Sequence, residues 1–571
     1  MPARIGMSGR DKHKTEIELP GSGRTSRLTL IAVALISVWI RTAYPLNAVG
    51  YAGHDDVLFV RLAGTIGAGD WLGHYDNLTH AKGMVYSAFI LLNYLAGTSL
   101  ILAEHLCYLA ASLCFAMSLN RVCRVRGLAL VLFVVLAFNP SVWNPSVGSR
   151  VVRENLYVSL TLLVLALGIR CFAAENSGGP LEQWRRKRAL LSWLGLTLGL
   201  FWLTREEGVW LAPSMLLLLS YWLSTQRSAW RQTRPIVAFV STPVLAMAFV
   251  IGAVNSLNYL YYGSFRNNDF RSADFQAAYG ALARIRHDHW QRYVVFPKDA
   301  RARAYAMSAA ARELQPHLDG EVGNMWRDRG CAQMRLSPCD EVLSGWFMWA
   351  LRDAVARAGH YSSAPQAQQF YERLAAEINA GCKSHAGDCL PARSSLMPPW
   401  RAEYANDTFS AALDIFGTLQ GLGGPAPDPG ASVGKPFQLA IIEASTNSRL
   451  APILDGTGQR HAESRDAIRR GMAQPLTRLE SMFLKIGLPC ALVGLAAWIV
   501  GAAVRRRVEA NLIVAIAITV AVTVRVLLLA FLEATSIPSN NIVYLLPATP
   551  LALALGVLMA GITWQAVARR S

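Results

Sequence analysis

Residues 512–532 read LIVAIAITVAVTVRVLLLAFL, an apolar run in which the only charged residue is Arg525. An α-helix needs about 20 consecutive apolar residues to cross the hydrocarbon core of a bilayer. Comparable or somewhat shorter apolar runs recur on both sides of one long polar region. We therefore predict an all-α polytopic membrane protein with about ten transmembrane helices, at approximately residues 28–46, 100–119, 128–138, 151–172, 189–203, 209–223, 235–262, 482–504, 512–532 and 542–567.

The composition agrees with this fold class. Of the 571 residues, 53% are hydrophobic and 16% are charged, whereas soluble domains carry roughly a quarter charged residues. These values exclude an ordinary cytosolic enzyme, a fibrous protein and a disordered one. The formal net charge of +17 would suit a nucleic-acid partner, but membrane proteins also retain lysine and arginine in their cytoplasmic loops.

The positions of the positive charges separate these two explanations. Basic residues fill the N-terminal tail and the short loops that follow alternate spans, including Arg185–Arg188 and Arg505–Arg507. All of these segments fall on one side of the membrane if the spans are counted as above, as the positive-inside rule requires. We expect both termini in the cytoplasm of a bacterium, the spans in its inner membrane, and no nucleic-acid partner.

The same patterns divide the chain into four parts. Residues 1–27 form a basic cytoplasmic tail, and residues 28–262 form a transmembrane module of about seven spans with a first outer loop at 47–83. Residues 263–480 are polar, show helical periodicity and are long enough for a separate core, so we predict a largely helical extracytoplasmic domain. Residues 481–571 contain about three further spans.

Four of the nine cysteines lie in the predicted extracytoplasmic domain, in two closely spaced pairs. In an oxidising compartment such pairs form local disulfides. Zinc binding is the alternative for four cysteines, although neither pair has the CxxC spacing typical of zinc sites. The expected bonds are Cys331–Cys339 and Cys382–Cys389.

Acidic and basic residues stand together at the predicted outer ends of several spans. Charges near membrane depth are costly and usually belong to a pathway or a binding site. If these groups converge, they would suit an anionic lipid phosphate beside a hydroxyl that must lose a proton. The residues concerned are His54, Asp55, Asp56 and Lys82 in the first loop, Arg150, Arg153 and Glu154 at the fourth span, Arg205, Glu206 and Glu207 after the fifth, and Arg525 within the ninth.

Each group also has a purely structural explanation. Asp55 and Asp56 could cap a helix that begins at Val57. Arg153 and Glu154 could form a structural ion pair, and Lys82 could extend its ammonium to the membrane interface. The turn at 205–207 could simply be solvated between two spans.

Five short motifs occur in a fixed order along the chain. An acidic pair, Asp55-Asp56, follows the first span, and AKGMVY at 81–86 closes the first outer loop. RVVRE at 150–154 opens the fourth span, GLFWLTREEG at 199–208 forms a turn, and VYLLP at 543–547 lies near the C-terminus. Together they resemble the GT-C class of membrane glycosyltransferases, especially the branch of protein O-mannosyltransferases and the lipid A aminoarabinose transferase.

The resemblance covers residues 28–262 and 482–567, and two positions depart from the family pattern. Val543 stands where the family's last segment has an arginine, and Glu154 stands where an aspartate is common. Arg525 could take over the contact of the missing arginine. The polar region between the modules matches no member of the family.

The resemblance implies transfer of a sugar from a polyprenyl-phosphate-linked donor, which is dissolved in the membrane lipid. The acceptor would be a protein, lipid or polysaccharide on the outer face. The resemblance implies Asp55 as general base, with Asp56 orienting it or contacting the sugar. It also implies inversion at the anomeric carbon, because one base acts without a covalent intermediate. Lys82, Arg150, Arg153 and Arg205 would stabilise the donor phosphate. The remaining substrate contacts would come from His54, Glu154, Glu206, Glu207, Arg525 and Tyr544.

No cofactor is firmly expected. A divalent metal on His54, Asp55 and Asp56 is an alternative, although three consecutive residues are poorly spaced for one ion. A transporter or lipid flippase is the alternative function, and Arg525 inside a span is the feature that favours it. A non-catalytic membrane scaffold would leave the outer polar clusters unexplained.

Overall fold

The computed structural model describes residues 24–205, 207–227, 230–288, 291–384, 386–422, 430–451 and 464–568. Within these ranges the regular elements are helices, joined by short 3-10 turns and a few isolated β-bridges. The all-helical class predicted from the sequence is therefore confirmed for the described part of the chain.

The described residues of the N-terminal part form nine α-helices. Several begin or end at residues that interrupt helical backbone, such as Gly127 before α5 and Gly263 after α9, both of which have positive φ. The helices are α1 (Arg24–Arg41), α2 (Asp56–Gly67), α3 (Val85–Leu95), α4 (Leu100–Cys123), α5 (Leu128–Ala137), α6 (Glu154–Phe172), α7 (Pro180–Thr204), α8 (Ala212–Thr225) and α9 (Thr233–Tyr262).

The long polar region and the C-terminal part are helical as well. The polar region holds α10 (Ala273–Ala283), α11 (Lys298–Met307), α12 (Ala309–Leu318), α13 (Glu321–Met334), α14 (Ser344–Arg357), α15 (Ala364–Ser384), α16 (Ala405–Gly421) and α17 (Pro436–Thr446). The chain ends with α18 (Ser464–Gly471), α19 (Ala473–Arg505), α20 (Ala510–Thr535), α21 (Ile542–Leu545) and α22 (Thr549–Ala568).

Among the described residues, six helical segments are long and apolar enough to cross a membrane, so the chain is a multi-pass membrane protein. They are Leu100–Cys123, Glu154–Phe172, Gly208–Thr225, Thr233–Tyr262, Asp466–Arg505 and Ala510–Thr535. Shorter apolar helices occupy Val85–Leu95, Leu128–Trp143 and Thr549–Gln565. The predicted fifth span forms the second half of α7, and the basic stretch Arg185–Arg188 lies in the first half of the same helix. The total of about ten spans and their orientation stay predictions.

Two large apolar cores and a small cluster of Leu58, Leu62 and Leu72 hold the described part of the molecule together. The larger one joins the membrane helices and also takes in Ile415 and Leu419 of α16 and Ile442 of α17. The second core is built by α10–α15 and includes Tyr75 and Ala81 of the first loop. Residues of the polar region thus pack partly with each other and partly against the membrane helices, and the first loop is fixed between them.

Both predicted cysteine pairs lie at disulfide distance. The sulfur atoms of Cys331 and Cys339 are 1.95 Å apart, and those of Cys382 and Cys389 are 1.97 Å apart. Each pair closes a short local loop beside α13 or at the end of α15.

Candidate active site

The first loop, the start of α6 and the turn after α7 meet at one end of the helix bundle. Gly83 makes this approach possible, because a Cβ atom at this position would lie 1.7 Å from the carbonyl oxygen of Leu203. Only glycine lets the backbone pass so close. Lys82 is thereby brought beside the turn that carries Arg205.

Lys82 and Asp55 form an ion pair at this junction. The Lys82 Nζ donates a hydrogen bond to Asp55 Oδ1. The Lys82 side chain is 8% exposed, whereas the Asp55 side chain is 49% exposed. Lys82 also lies 5.1 Å from the ring centre of Phe59 and 5.7 Å from that of Trp349, which helps to stabilise its buried charge. The pair therefore combines a buried cation with an accessible carboxylate.

Asp56 has a different partner from Asp55 and is fully buried. It is the first residue of α2, and its Oδ2 accepts a hydrogen bond from Arg150 Nη2. The Arg150 side chain is 28% exposed, so the guanidinium remains partly accessible beside its buried partner. Asp55 occupies the position before the helix, but its side chain makes no capping hydrogen bond. The sequence-based alternative of a simple helix cap is therefore wrong for Asp55.

The two neighbouring carboxylates have opposite pKa shifts. Burial raises the pKa of Asp55, but the positive charges of Lys82, Arg150 and Arg153 outweigh it and hold the pKa at about 2. For Asp56, burial dominates over the attraction of Arg150 and raises the pKa to about 6. Asp55 is thus ionised at neutral pH, whereas Asp56 changes its charge at a pH slightly below neutral.

A second polar cluster surrounds Arg205. Its Nη1 donates to Glu154 Oε1 at 2.5 Å and its Nη2 donates to Glu207 Oε1 at 3.0 Å. The guanidinium carbon lies 5.3 Å from the ring centre of Tyr544. The arginine is 3% exposed, so it is enclosed by its two carboxylate partners.

Arg525, the charged residue of the ninth predicted span, completes this cluster. Its Nη1 donates to Glu207 Oε2 at 2.8 Å, and its Nε and Nη2 donate to the carbonyl oxygen of Tyr544 at 3.0 and 2.8 Å. The side chain is fully buried. The cost of placing an arginine within a membrane helix is thus offset by a carboxylate and a backbone carbonyl.

Arg153 connects the two clusters. Its Nη1 donates to the carbonyl oxygen of Thr204 at 3.3 Å, and its charge lowers the pKa of Asp55 on one side. The predicted residues Asp55, Asp56, Lys82, Arg150, Arg153, Glu154, Arg205, Glu207, Arg525 and Tyr544 therefore lie in one connected region. Glu206 lies outside the described residues.

His54 belongs to a different contact surface. Its ring packs edge-on against Trp326 and Trp349, with centroids 4.7 and 4.8 Å apart, and its Nε2 lies 3.7 Å from Asp353 Oδ1. The side chains of residues 54–56 thus have three different partners and do not converge on one point. In the part of the chain that the structure describes, no group of three or more His, Cys, Asp or Glu residues could hold a metal ion.

The contact with α13 and α14 was missed by the sequence reasoning. Trp326 Nε1 donates to Asp353 Oδ2 at 2.7 Å, and the buried Arg352 donates to the carbonyl oxygen of Asn77 in the first loop. These partners are far from the first loop in sequence, and periodicity does not reveal which helix they contact. The aromatic pattern WFMW at 346–349 is the signal that could have indicated a contact surface.

Comparison with known proteins finds no matching protein-family profile and no matching curated protein. Among solved structures, ArnT from Cupriavidus metallidurans bound to undecaprenyl phosphate matches 95% of this chain and 79% of its own, with 14% identity and a TM-score of 0.33. The arabinosyltransferase EmbB from Mycobacterium smegmatis matches 98% of this chain and 43% of its own, with 12% identity and a TM-score of 0.31. Superpositions with TM-scores this low carry no inference about this chain.

Proposed function

We propose that this chain is a membrane glycosyltransferase that moves a sugar from a polyprenyl-phosphate donor to an acceptor hydroxyl on the outer face of the membrane. The observation that carries the proposal is the accessible carboxylate of Asp55 on the buried ammonium of Lys82, with Arg150 beside them. A base for the acceptor and cations for a phosphate leaving group are the two requirements of this reaction.

Asp55 is the general base in this proposal because it can reach an acceptor, whereas Asp56 is fully buried. With a pKa of about 2, Asp55 is a weak base as long as Lys82 is its partner. A donor phosphate that draws the ammonium of Lys82 to itself removes the main attraction that lowers this pKa. The pKa of Asp55 then rises towards its ordinary value, so donor binding strengthens the base.

The leaving group is stabilised by charge and needs no proton. The acceptor oxygen forms a bond to the anomeric carbon while the bond from that carbon to the phosphate oxygen breaks. The acceptor proton moves to Asp55, and polyprenyl phosphate leaves with the additional negative charge. Lys82, Arg150 and Arg153 stabilise that charge, and the single displacement inverts the anomeric carbon.

Arg205 and Arg525 contribute to the site through the carboxylates that they bind. Arg205 is held by Glu154 and Glu207, so a direct contact with the donor phosphate would have to displace a carboxylate. We therefore place both arginines as groups that fix Glu154 and Glu207, whose remaining oxygen lone pairs can orient sugar hydroxyls. The enclosure of Arg525 by Glu207 and the Tyr544 carbonyl also removes the feature that favoured a transporter.

The test is transfer from synthetic polyprenyl-phosphate sugars by the purified full-length protein in lipid vesicles, followed as release of polyprenyl phosphate. Mass spectrometry of envelope glycans and glycoproteins from cells with and without the protein selects the sugar and the acceptor. We expect Asp55→Asn to lose at least about 100-fold in rate, as for removal of a general base. Asp76→Asn is the matched control, because Asp76 lies in the same loop and pairs with Arg61. Full transfer by Asp55→Asn would contradict the base assignment, and no transfer with any donor would contradict the proposed function.

A further inference from the structure

Helix α17, in the long polar region, has apolar side chains on two opposite faces. Leu439 and Ile442 are buried on the face that packs against α2 and α3. Phe437 and Ile441 are 60% and 54% exposed. They are four residues apart and therefore lie one above the other, on the side of the helix that faces away from α2 and α3.

This pattern does not suit a helix that is surrounded by water. A helix at an aqueous surface places its apolar residues toward the core and its polar residues toward the solvent. In α17 the exposed side also carries Ala440 and Ala444, and Glu443 is the only charged residue of the helix. Exposed apolar faces of this kind mark contact with a membrane or with another protein.

The C-terminal end of α17 is bonded to the start of a helix that is long enough to cross the membrane. The Leu100 backbone amide, at the first residue of α4, donates to Ser448 Oγ at 3.1 Å. Asn447 Nδ2 donates to the carbonyl oxygen of Tyr94 in α3 at 3.3 Å. The end of α17 therefore lies at the level where α4 begins.

Both ends of α17 are also held by one short segment, residues 46–50. The Val433 amide, before the helix, donates to the carbonyl oxygen of Ala48 at 2.9 Å. The Leu46 amide donates to the carbonyl oxygen of Arg449, after the helix, at 2.9 Å. Because its two ends are fixed to neighbouring residues, α17 stays beside the start of α4.

The helices next to α17 expose apolar side chains as well. Leu92 and Leu95 of α3 and Leu106 of α4 are each at least half exposed. In a helix that crosses a membrane, such side chains face the acyl chains of the lipids. We infer that α17 lies in the interfacial layer of the bilayer, with Phe437 and Ile441 among the acyl chains of the phospholipids.

Lipid fits this surface better than a second protein does. Acyl chains are already present at the level of α17, since α4 begins there, whereas a protein partner would have to displace them from α17 and α3. The lipid contact would also set the depth of residues 46–50, which lead into Asp55. The inference concerns the position of the chain in the bilayer and does not depend on the transfer reaction proposed above.

The experiment places nitroxide spin labels on Ile441→Cys and Phe437→Cys in the full-length protein. The accessible free cysteines, Cys107, Cys114 and Cys490, are first replaced by serine. The protein is reconstituted in vesicles of phosphatidylethanolamine and phosphatidylglycerol. Electron paramagnetic resonance then measures how often each label collides with oxygen, which concentrates in the hydrocarbon, and with a neutral nickel chelate, which stays in water.

Two further labels give the reference values. Ile486→Cys is the lipid reference, because Ile486 is exposed on α19 within a segment long enough to span the membrane. Gln315→Cys is the water reference, because Gln315 is exposed on α12 in the polar region. We expect the ratio of oxygen to nickel collisions at positions 437 and 441 to match position 486 and to exceed position 315.

Two results overturn the inference. A ratio at positions 437 and 441 as low as that at position 315 means that this face of α17 is in water. Few collisions with either reagent mean that protein covers the face, either a second copy of this chain or another partner.

Discussion

Arg525 Nη1 and Glu207 Oε2 lie 2.8 Å apart and join residues separated by 318 positions in the chain. The pair ties α20 to the turn between α7 and α8, and the same glutamate also accepts a hydrogen bond from Arg205. Glu207 therefore balances two buried arginines at once. Removing Glu207 therefore affects two arginines, whereas removing Arg525 leaves Glu207 with its second partner, Arg205.

We expect Glu207→Gln to destabilise the protein more than Arg525→Met. Loss of one partner of a buried pair typically costs about 3–5 kcal/mol because a charge remains unpaired. Glu207→Gln leaves two arginines short of a carboxylate, whereas Arg525→Met leaves Glu207 paired with Arg205. Thermal unfolding of the purified variants in detergent micelles measures the order. The double variant should be more stable than Glu207→Gln alone, and additive losses would show that the two groups do not interact.

The buried carboxylate of Asp56 should give the protein a pH dependence near its pKa of about 6. Below this pH, Asp56 is protonated and its charge pair with Arg150 is lost, so we expect transfer activity to fall as the pH decreases through about 6. The folded-state pKa lies above the ordinary value of 3.8. The stability that proton binding contributes is therefore complete below the ordinary value and is lost as the pH rises through about 6.

The pH–rate profile of Asp56→Asn checks this assignment, because the inflection near the Asp56 pKa should disappear. Asp76→Asn serves as the control, since hydrogen bonds from Arg61, the Leu78 backbone amide and the Thr79 hydroxyl lower the pKa of Asp76 against the effect of burial. An inflection that persists in Asp56→Asn would assign the titration to another group.

The order of the sequence motifs predicted most of the candidate site, for a physical reason. Charged residues next to apolar spans must lie at span ends, and spans that alternate direction bring every second end to the same side. This reasoning placed Asp55, Lys82 and Arg205 together. It could not predict that Lys82 pairs with Asp55, because pair distances depend on how the loop packs.

The close approach of the backbone at Gly83 could not be predicted from the sequence either. A Cβ atom here would lie 1.7 Å from the Leu203 carbonyl oxygen, so Gly83→Ala must move the loop away from the turn. We expect activity to fall at least about tenfold, since small displacements of reacting groups have effects of that size. Gly53→Ala in the same loop is the control, because no atom lies within 4 Å of its added Cβ. Equal activity of both variants would show that the approach is unimportant for the site.

Trp349 belongs to α14 and contacts the first loop. Its ring contacts His54 at 4.8 Å and lies 5.7 Å from the ammonium of Lys82. Both contacts help to fix Lys82 beside Asp55, so we expect Trp349→Leu to lower the transfer rate.

The rate alone would not separate a positioning role from partial unfolding, so the pH profile is measured as well. The profile is measured in the Asp56→Asn background, where the Asp56 inflection is absent. A Lys82 that is held less firmly lowers the pKa of Asp55 less, and the acidic limb that Asp55 sets should move to higher pH. Trp346→Leu is the control on the same helix, because Trp346 packs near Gly330. If Trp349→Leu loses rate without any movement of the acidic limb, Trp349 acts on stability and not on the Lys82–Asp55 pair.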